Sequence, residues 1–203
     1  MKVLIATDPM CSWCWGMSEA VEQAAAALAG EVDFEILLGG VNTATTQPVG
    51  QYGRRYLMHV WREVRDTTGQ HFAFVVPEGL VYNSTGPCLA VAAVRRELGR
   101  PPFGYLHRLQ QLFFSEARDI NDAELLAGTA TEFGVDASVV RRGLKDRALA
   151  EVARAEFRLA RSYGTSALPS VIVEQEGERT LLTGGYADAA MLESLIRDRL
   201  VSP

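Results

Sequence analysis

Strand-forming sequence occupies only the two ends of this 203-residue chain, and that distribution restricts the fold more than any other feature. Val3 to Thr7 is a short apolar run closed by Asp8-Pro9, the pattern of a buried strand. Ser12 to Leu28 follows with helix-favouring composition; Val21, Ala24, Ala25 and Leu28 share one face, and Gly30 stands where such a helix would stop. Val32 to Leu38 then reads as a second strand. That order predicts two parallel strands joined by a right-handed crossover. Towards the other end, Ser170 to Gln175 and Arg179 to Leu182 flank Glu176-Gly177 and predict an antiparallel hairpin, closed off by a helix over Ala187 to Leu200.

The middle is helical. After a loop over Gly39 to Gly53, the patterns predict helices over Tyr56–Thr67 (Tyr56, Val60 and Val64 on one face), Pro87–Leu98, Pro102–Ala117, Asp122–Phe133 and Ala137–Lys145. Pro87 sits near a first turn, and Asn121-Asp122 reads as a cap. A last helix over Arg147–Tyr163 carries Val152, Phe157 and Leu159 and stops at Gly164. The simplest architecture is an α/β core built from residues 1–45 and 160–203, with a helical insertion over 46–159.

Composition excludes several functions. Hydrophobic residues at 48% and charged residues at 22% are ordinary globular usage. A net charge of −5 gives no footprint for nucleic acid or an anionic membrane. No apolar run approaches the roughly 18 to 20 residues of a membrane span. Met1-Lys2 is followed by only VLIA before Thr7-Asp8-Pro9, short of the about 7 to 15 apolar residues of a signal peptide, so the expected location is cytoplasmic. Any apolar helix face reads equally as core or interface, which leaves oligomeric state open.

Two of the three cysteines, Cys11 and Cys14, lie in DPMCSWCWG, directly after the first strand and at the first turn of the first helix. Side chains at i and i+3 of a helix are about 5 to 6 Å apart at Cβ, close to what a disulfide tolerates. A helix N-terminus also favours a thiolate, by about 0.3 to 1 kcal/mol and up to ~2 in good geometry. In a reducing compartment such a pair reads as redox-active rather than as a permanent staple. Cys11 is expected to be the more exposed sulfur and Cys14 the inner one. Ser12, a small hydroxyl, and Trp13, a ring at the helix tip, are expected to face the substrate, whereas Trp15 reads as packing. A zinc site would need Cys88 and one of His59, His71 and His107 to join the pair, and no second ligand spacing supports that, so no metal is expected. Cys88 reads as a small buried hydrophobe. Asp8 is either a turn residue before Pro9, a nearby acid or a cap. Pro169 opens a strand, where proline is tolerated, and with about 5 to 6% of X-Pro bonds cis, proline alone does not establish a cis bond.

DPMCSWCWG after the first strand, a helical middle, and TSALPSVIV opening a late strand together resemble the DsbA-like branch of the thioredoxin superfamily, most closely the cytosolic FrnE-like group of protein disulfide isomerases. The resemblance covers essentially the whole chain, and Gly184 to Tyr186 is similar to the glycine that ends the family's sheet. It implies a thioredoxin-like α/β fold with a helical insertion and a thiol–disulfide oxidoreductase or isomerase activity. Cys11 would be the nucleophile, Cys14 the resolving thiol, and Leu168-Pro169 a cis-proline loop binding substrate backbone. The redox group would be the cysteine pair itself, with no other cofactor. Substrates would be protein or peptide thiols and disulfides, with glutathione as a candidate electron partner. Residues Tyr82 to Ser84 and the loop Gly39 to Asn42 are candidate groove walls. Ser12-Trp13 replaces the Pro-His of the periplasmic oxidant, which argues against a strongly oxidising character. The alternative is a glutathione-dependent transferase or isomerase of the kappa or hydroxychromene-carboxylate isomerase type, which shares this fold but generally has one serine at the position of Cys11.

Overall fold

The strands from the two ends meet in one sheet. A computed structural model describes residues 1–163 and 167–201. The elements are β1 (Lys2–Thr7), α1 (Ser12–Ala27), β2 (Asp33–Leu38), α2 (Gln51–Thr68), α3 (Thr85–Leu98), α4 (Phe103–Phe114), α5 (Ala123–Thr131), α6 (Ala137–Gly143), α7 (Arg147–Ala160), β3 (Ser170–Gln175), β4 (Glu178–Gly184) and α8 (Ala189–Val201). The sheet order is β2-β1-β3-β4. β1 runs parallel to β2 with Ile5 opposite Ile36, and antiparallel to β3 with Ile5 opposite Val171; β3 and β4 form the antiparallel hairpin. This is the mixed α/β, thioredoxin-like arrangement, with helices α2 to α7 standing between β2 and β3.

Strand alternation decides which helices cover which face. Val3, Ile5, Val171 and Val173 point to the side packed by Met17, Val21, Ala24 and Leu28 of α1 and by Leu192 and Ile196 of α8. Ala6 and Ile172 point the other way, with Leu37 of β2, onto Ala160 of α7. The helical middle has its own apolar core around Trp61, whose ring stacks on Phe72 and meets Phe113 and Phe114 edge-on. Met10, Ile36 and Leu38 belong to that core, so it continues into the start of the cysteine turn. Asp122, Asp136 and Asp146 cap α5, α6 and α7 with side-chain oxygens that accept first-turn N–H groups.

Three helices differ from expectation. α2 starts at Gln51, inside the expected loop, and buries Leu57, Trp61 and Val64, whereas Tyr56 is 67% exposed. A tyrosine counts as apolar in a periodicity but can stay in solvent with its hydroxyl wet. α7 buries Phe157 as expected, together with Leu149, Ala153 and Ala160, and leaves Val152 exposed, so two small alanines share the contact face with two large residues. α4 ends at Phe114. Gly164, expected to stop α7, lies outside the described residues. Among the described residues no helix is long and apolar enough to cross a membrane.

α1 approaches α2 closely because Gly16 faces it. A Cβ at Gly16 would lie 2.7 Å from Val64 Cγ1 and 3.0 Å from Thr68 Cγ2. Val64 is fully buried and β-branched, so it has no rotamer into which to retreat. Gly16→Ala is therefore expected to destabilise the fold by about 1 to 3 kcal/mol despite alanine's better helix propensity. Urea denaturation of the two proteins checks this, and an equal or greater midpoint for the variant contradicts it.

Candidate active site

Cys11 is not in the helix but caps it. Its backbone is extended (φ −86°, ψ 114°), and its Sγ accepts the backbone N–H of Cys14 at 3.1 Å. One of the otherwise unpaired first-turn donors is thus aimed at sulfur rather than at the usual oxygen. On its other side, Cys11 Sγ donates to the Leu168 carbonyl at 3.6 Å, across 157 residues of sequence. The Leu168-Pro169 bond is cis. Gly185, immediately after β4, donates its N–H to the Pro169 carbonyl at 2.8 Å and has φ +103°, a conformation that favours glycine.

Both cysteines are nearly enclosed, Cys11 at 8% and Cys14 at 4% residue exposure. Burial pushes the Cys14 thiol well above its ordinary value, with the Cys11 sulfur and the Asp8 carboxylate adding to the rise. Ser12 is buried rather than presented at the surface. Trp13 is half-buried, its ring 6.2 Å from that of Tyr186. Trp15 packs against the helical core and donates its indole N–H to the His71 carbonyl at 3.1 Å. Leu168 is half-buried and Pro169 buried. The segment Gly164 to Ser166 ahead of them lies outside the described residues.

Behind the cysteine turn, Asp8 is completely buried. Its Oδ1 accepts from Met10 N at 2.8 Å; its Oδ2 accepts from Val41 N at 2.9 Å, Ser84 Oγ at 2.6 Å and Cys88 Sγ at 3.3 Å. Cys88 is therefore not a plain hydrophobe but a donor to a carboxylate, its own thiol pushed well up by burial and then by the charge of Asp8. Ser84 is completely buried behind Asp8 and is not a groove wall. Two further groups hold the backbone of the turn: Tyr82 Oη donates to the Met10 carbonyl, and Gln110 Nε2 to the Asp8 carbonyl at 3.1 Å. Sequence reasoning missed Gln110, since nothing local to a glutamine on an amphipathic helix marks its distant acceptor. Among the described residues no group of three or more His, Cys, Asp and Glu could hold a metal ion.

Gly39 and Gly40 bring the loop after β2 up to this site. A Cβ on Gly39 would lie 2.2 Å from Leu168 Cδ1, and one on Gly40 (φ +69°) would lie 2.5 Å from the Phe157 ring. Leu168 is thus positioned by close backbone approach as well as by its neighbour Pro169.

A family model for the DSBA-like thioredoxin domain matches residues 2–197. Among solved structures, a candidate protein disulfide isomerase from Nitrosomonas europaea is 28% identical, with 98% of this chain and 97% of that one covered and a TM-score of 0.90. The cytosolic disulfide reductase DsbM from Pseudomonas aeruginosa is 25% identical over the full length of both chains, TM-score 0.80, and that protein has also been solved with glutathione. A curated relative, the ClpXP adapter protein SpxH of Halalkalibacterium halodurans, is 23% identical over 198 residues. The match takes in 92% of this chain but only 63% of that protein.

Burial raises the Asp8 carboxyl above its ordinary 3.8, against the opposing pull of its bonds from Ser84, Met10, Val41 and Cys88. An acid whose value is raised on folding holds its proton more tightly when folded. Its contribution is complete below 3.8 and is lost as pH rises through the folded-state value. Asp8→Asn removes that titration. The stability of the wild type relative to the variant is expected to fall as pH rises from below 3.8 towards neutrality, read by urea denaturation at a series of pH values; a difference that stays flat or grows contradicts the assignment.

Proposed function

From the premise that the chain belongs to the DSBA-like thioredoxin domain family, we propose that it is a cytosolic thiol–disulfide oxidoreductase with isomerase capacity, working through Cys11 and Cys14. The observation that carries this reading is the Cys11 sulfur at a helix N-cap, receiving the Cys14 N–H at 3.1 Å and facing the Leu168 carbonyl at 3.6 Å. An anionic sulfur gains there from the hydrogen bond and from the helix terminus together.

In the proposed cycle the Cys11 thiolate attacks one sulfur of a substrate disulfide. An S–S bond forms between Cys11 and that sulfur, the substrate's own S–S bond breaks, and the other sulfur leaves as a thiolate. Cys14 then attacks Cys11, closing the Cys11–Cys14 disulfide and releasing the second substrate thiol. The substrate has gained two electrons and the pair has lost them. Two glutathione thiols restore the dithiol and leave as glutathione disulfide. Release of a captured substrate before Cys14 closes, followed by recapture, gives isomerisation.

Leu168 and Pro169 are assigned to substrate backbone. The Leu168 carbonyl accepts from the Cys11 thiol in the reduced state. Once Cys11 is in a disulfide it has no hydrogen to donate, and the carbonyl is left to accept a backbone N–H of the captured chain. Trp13, half-buried beside Tyr186, is assigned to the rim of that site, and Ser12 to its inner wall. Protein or peptide thiols and glutathione are the proposed partners, in keeping with the disulfide reductase that has been solved with glutathione.

The second reading, a glutathione-dependent transferase or isomerase, draws on likeness to a 2-hydroxychromene-2-carboxylate isomerase at 17% identity and a TM-score of 0.67, which is a likeness of fold. The paired cysteines favour exchange chemistry. Cys11→Ala is expected to abolish insulin reduction and the reactivation of scrambled ribonuclease. Cys14→Ser should capture substrate as a mixed disulfide visible on non-reducing gels. Full turnover by Cys14→Ser, with no trapped species, would instead select the transferase.

A further inference from the structure

Cys14 poses a proton problem. It is nearly enclosed, burial holds its proton on the sulfur at neutral pH, and it must become a thiolate to resolve a mixed disulfide. Asp8, the nearest acid in sequence, already has its carboxylate oxygens engaged by Met10, Val41, Ser84 and Cys88. Cys14 lines a cavity of about 10 Å³ together with Thr7, Ser18, His107 and Pro169, and Asp8 does not line it. That is close to the volume one water needs, and the polar residues of its lining are Cys14, Ser18, His107 and Thr7, whose side chain hydrogen-bonds Cys14. Ser18 Oγ donates to the Trp15 carbonyl at 2.8 Å and accepts from Gln70 Nε2 at 3.1 Å, which leaves it one lone pair.

Ser18 and His107 also line a second cavity of about 360 Å³, whose rim carries the exposed Glu19 and Glu22. Ser18 and His107 are thus common to the Cys14 cavity and to the cavity whose rim is exposed. His107 Nδ1 faces Glu22 Oε1. A carboxylate only accepts, so Nδ1 carries the hydrogen, and in the neutral ring Nε2 keeps its lone pair. Burial lowers the proton affinity of His107 while Glu22 pulls the other way, so the ring is neutral and able to accept at neutral pH. The charged groups around it are Glu19 and Glu22 from α1 and Arg108 from its own helix, the last paired with Glu116 and Glu132.

We propose that His107, through one water held against Thr7 and Ser18, accepts the Cys14 proton during resolution and passes it to solvent beside Glu22. The step balances: Cys14 loses its proton to the imidazole through the water, the Cys14–Cys11 bond forms, and the bond from Cys11 to the substrate sulfur breaks. The substrate leaves as a thiolate. This inference rests on the exchange reading above and adds a residue to it.

The test uses the reduced full chain and the chromogenic disulfide 5,5′-dithiobis(2-nitrobenzoic acid) in stopped flow. The first coloured thiolate reports attack by Cys11 and the second reports resolution by Cys14. His107→Gln is expected to keep the first phase and to slow the second by about 10²-fold at neutral pH, the low end of general-base effects. The slowed phase should recover as pH rises and hydroxide takes over. Glu22→Gln, at an exposed position, is expected to slow the second phase by a smaller factor, because the ring loses the carboxylate that supports its basicity; it decides the matter if His107→Gln does not fold. A second phase with wild-type rate and pH profile in the folded variant overturns the proposal while leaving the exchange reading intact. Absence of a Cys11-dependent first phase in the wild type overturns the exchange reading itself.

Discussion

One buried carboxylate ties together the segments that make the site. Asp8 ends β1, and its partners come from the cysteine turn (Met10), the loop after β2 (Val41) and the start of α3 (Ser84 and Cys88). An enclosed carboxylate with missing donors costs several kcal/mol, whereas hydrogen bonds to a charged group contribute about 1.5 to 3 kcal/mol each. Each donor that reaches Asp8 offsets part of that cost, against the burial that raises its carboxyl. These bonds couple the strand layer to the helical middle at the point where the first cysteine leaves the sheet.

The segment between β2 and β3 acts on the site mainly through its backbone. Tyr82 and Gln110 donate to the carbonyls of Met10 and Asp8, and Trp15 reaches out to the carbonyl of His71. None of these contacts touches a sulfur. They fix the path of the chain from β1 into α1, and so the direction in which the N-cap sulfur faces. Gly39 and Gly40 do the same for the opposing loop, letting β2's exit approach Leu168 and Phe157 more closely than any side chain would allow.

What was legible in the sequence was local. The strand ahead of Asp8-Pro9, the hairpin around Glu176-Gly177 and the helix N-terminus under Cys11 and Cys14 each follow from neighbouring residues, and all are present. What was not legible depends on partners far along the chain. The role of Asp8 comes from groups up to 80 residues away, and the Glu22–His107 pair spans 85. Tyr56 and Val152 misled because an apolar residue at helical spacing is equally compatible with the neighbouring face, and only packing against Trp61's cluster or the sheet decides between them. Ser12, expected to face a substrate, is buried, a fact with no signature in its own surroundings.

The same division explains why two cysteines three residues apart are unlike. Their covalent setting is nearly identical, and the helix terminus they share acts on both. The difference is that Cys11, as the cap, has an extended backbone and turns its sulfur outward to a carbonyl from another part of the chain. Cys14, inside the first turn, gives its N–H to that sulfur and lines a small cavity whose walls are apolar (Ile5, Met17, Leu106) and polar (Thr7, Ser18, His107). That hydrogen bond runs from the Cys14 backbone to the Cys11 side chain, so it orients the Cys11 sulfur while the Cys14 sulfur is placed by burial. Burial raises the Cys14 thiol well above its ordinary value, so in the proposed exchange cycle the inner sulfur would have to give up a tightly held proton, and the path proposed for that proton answers this same burial.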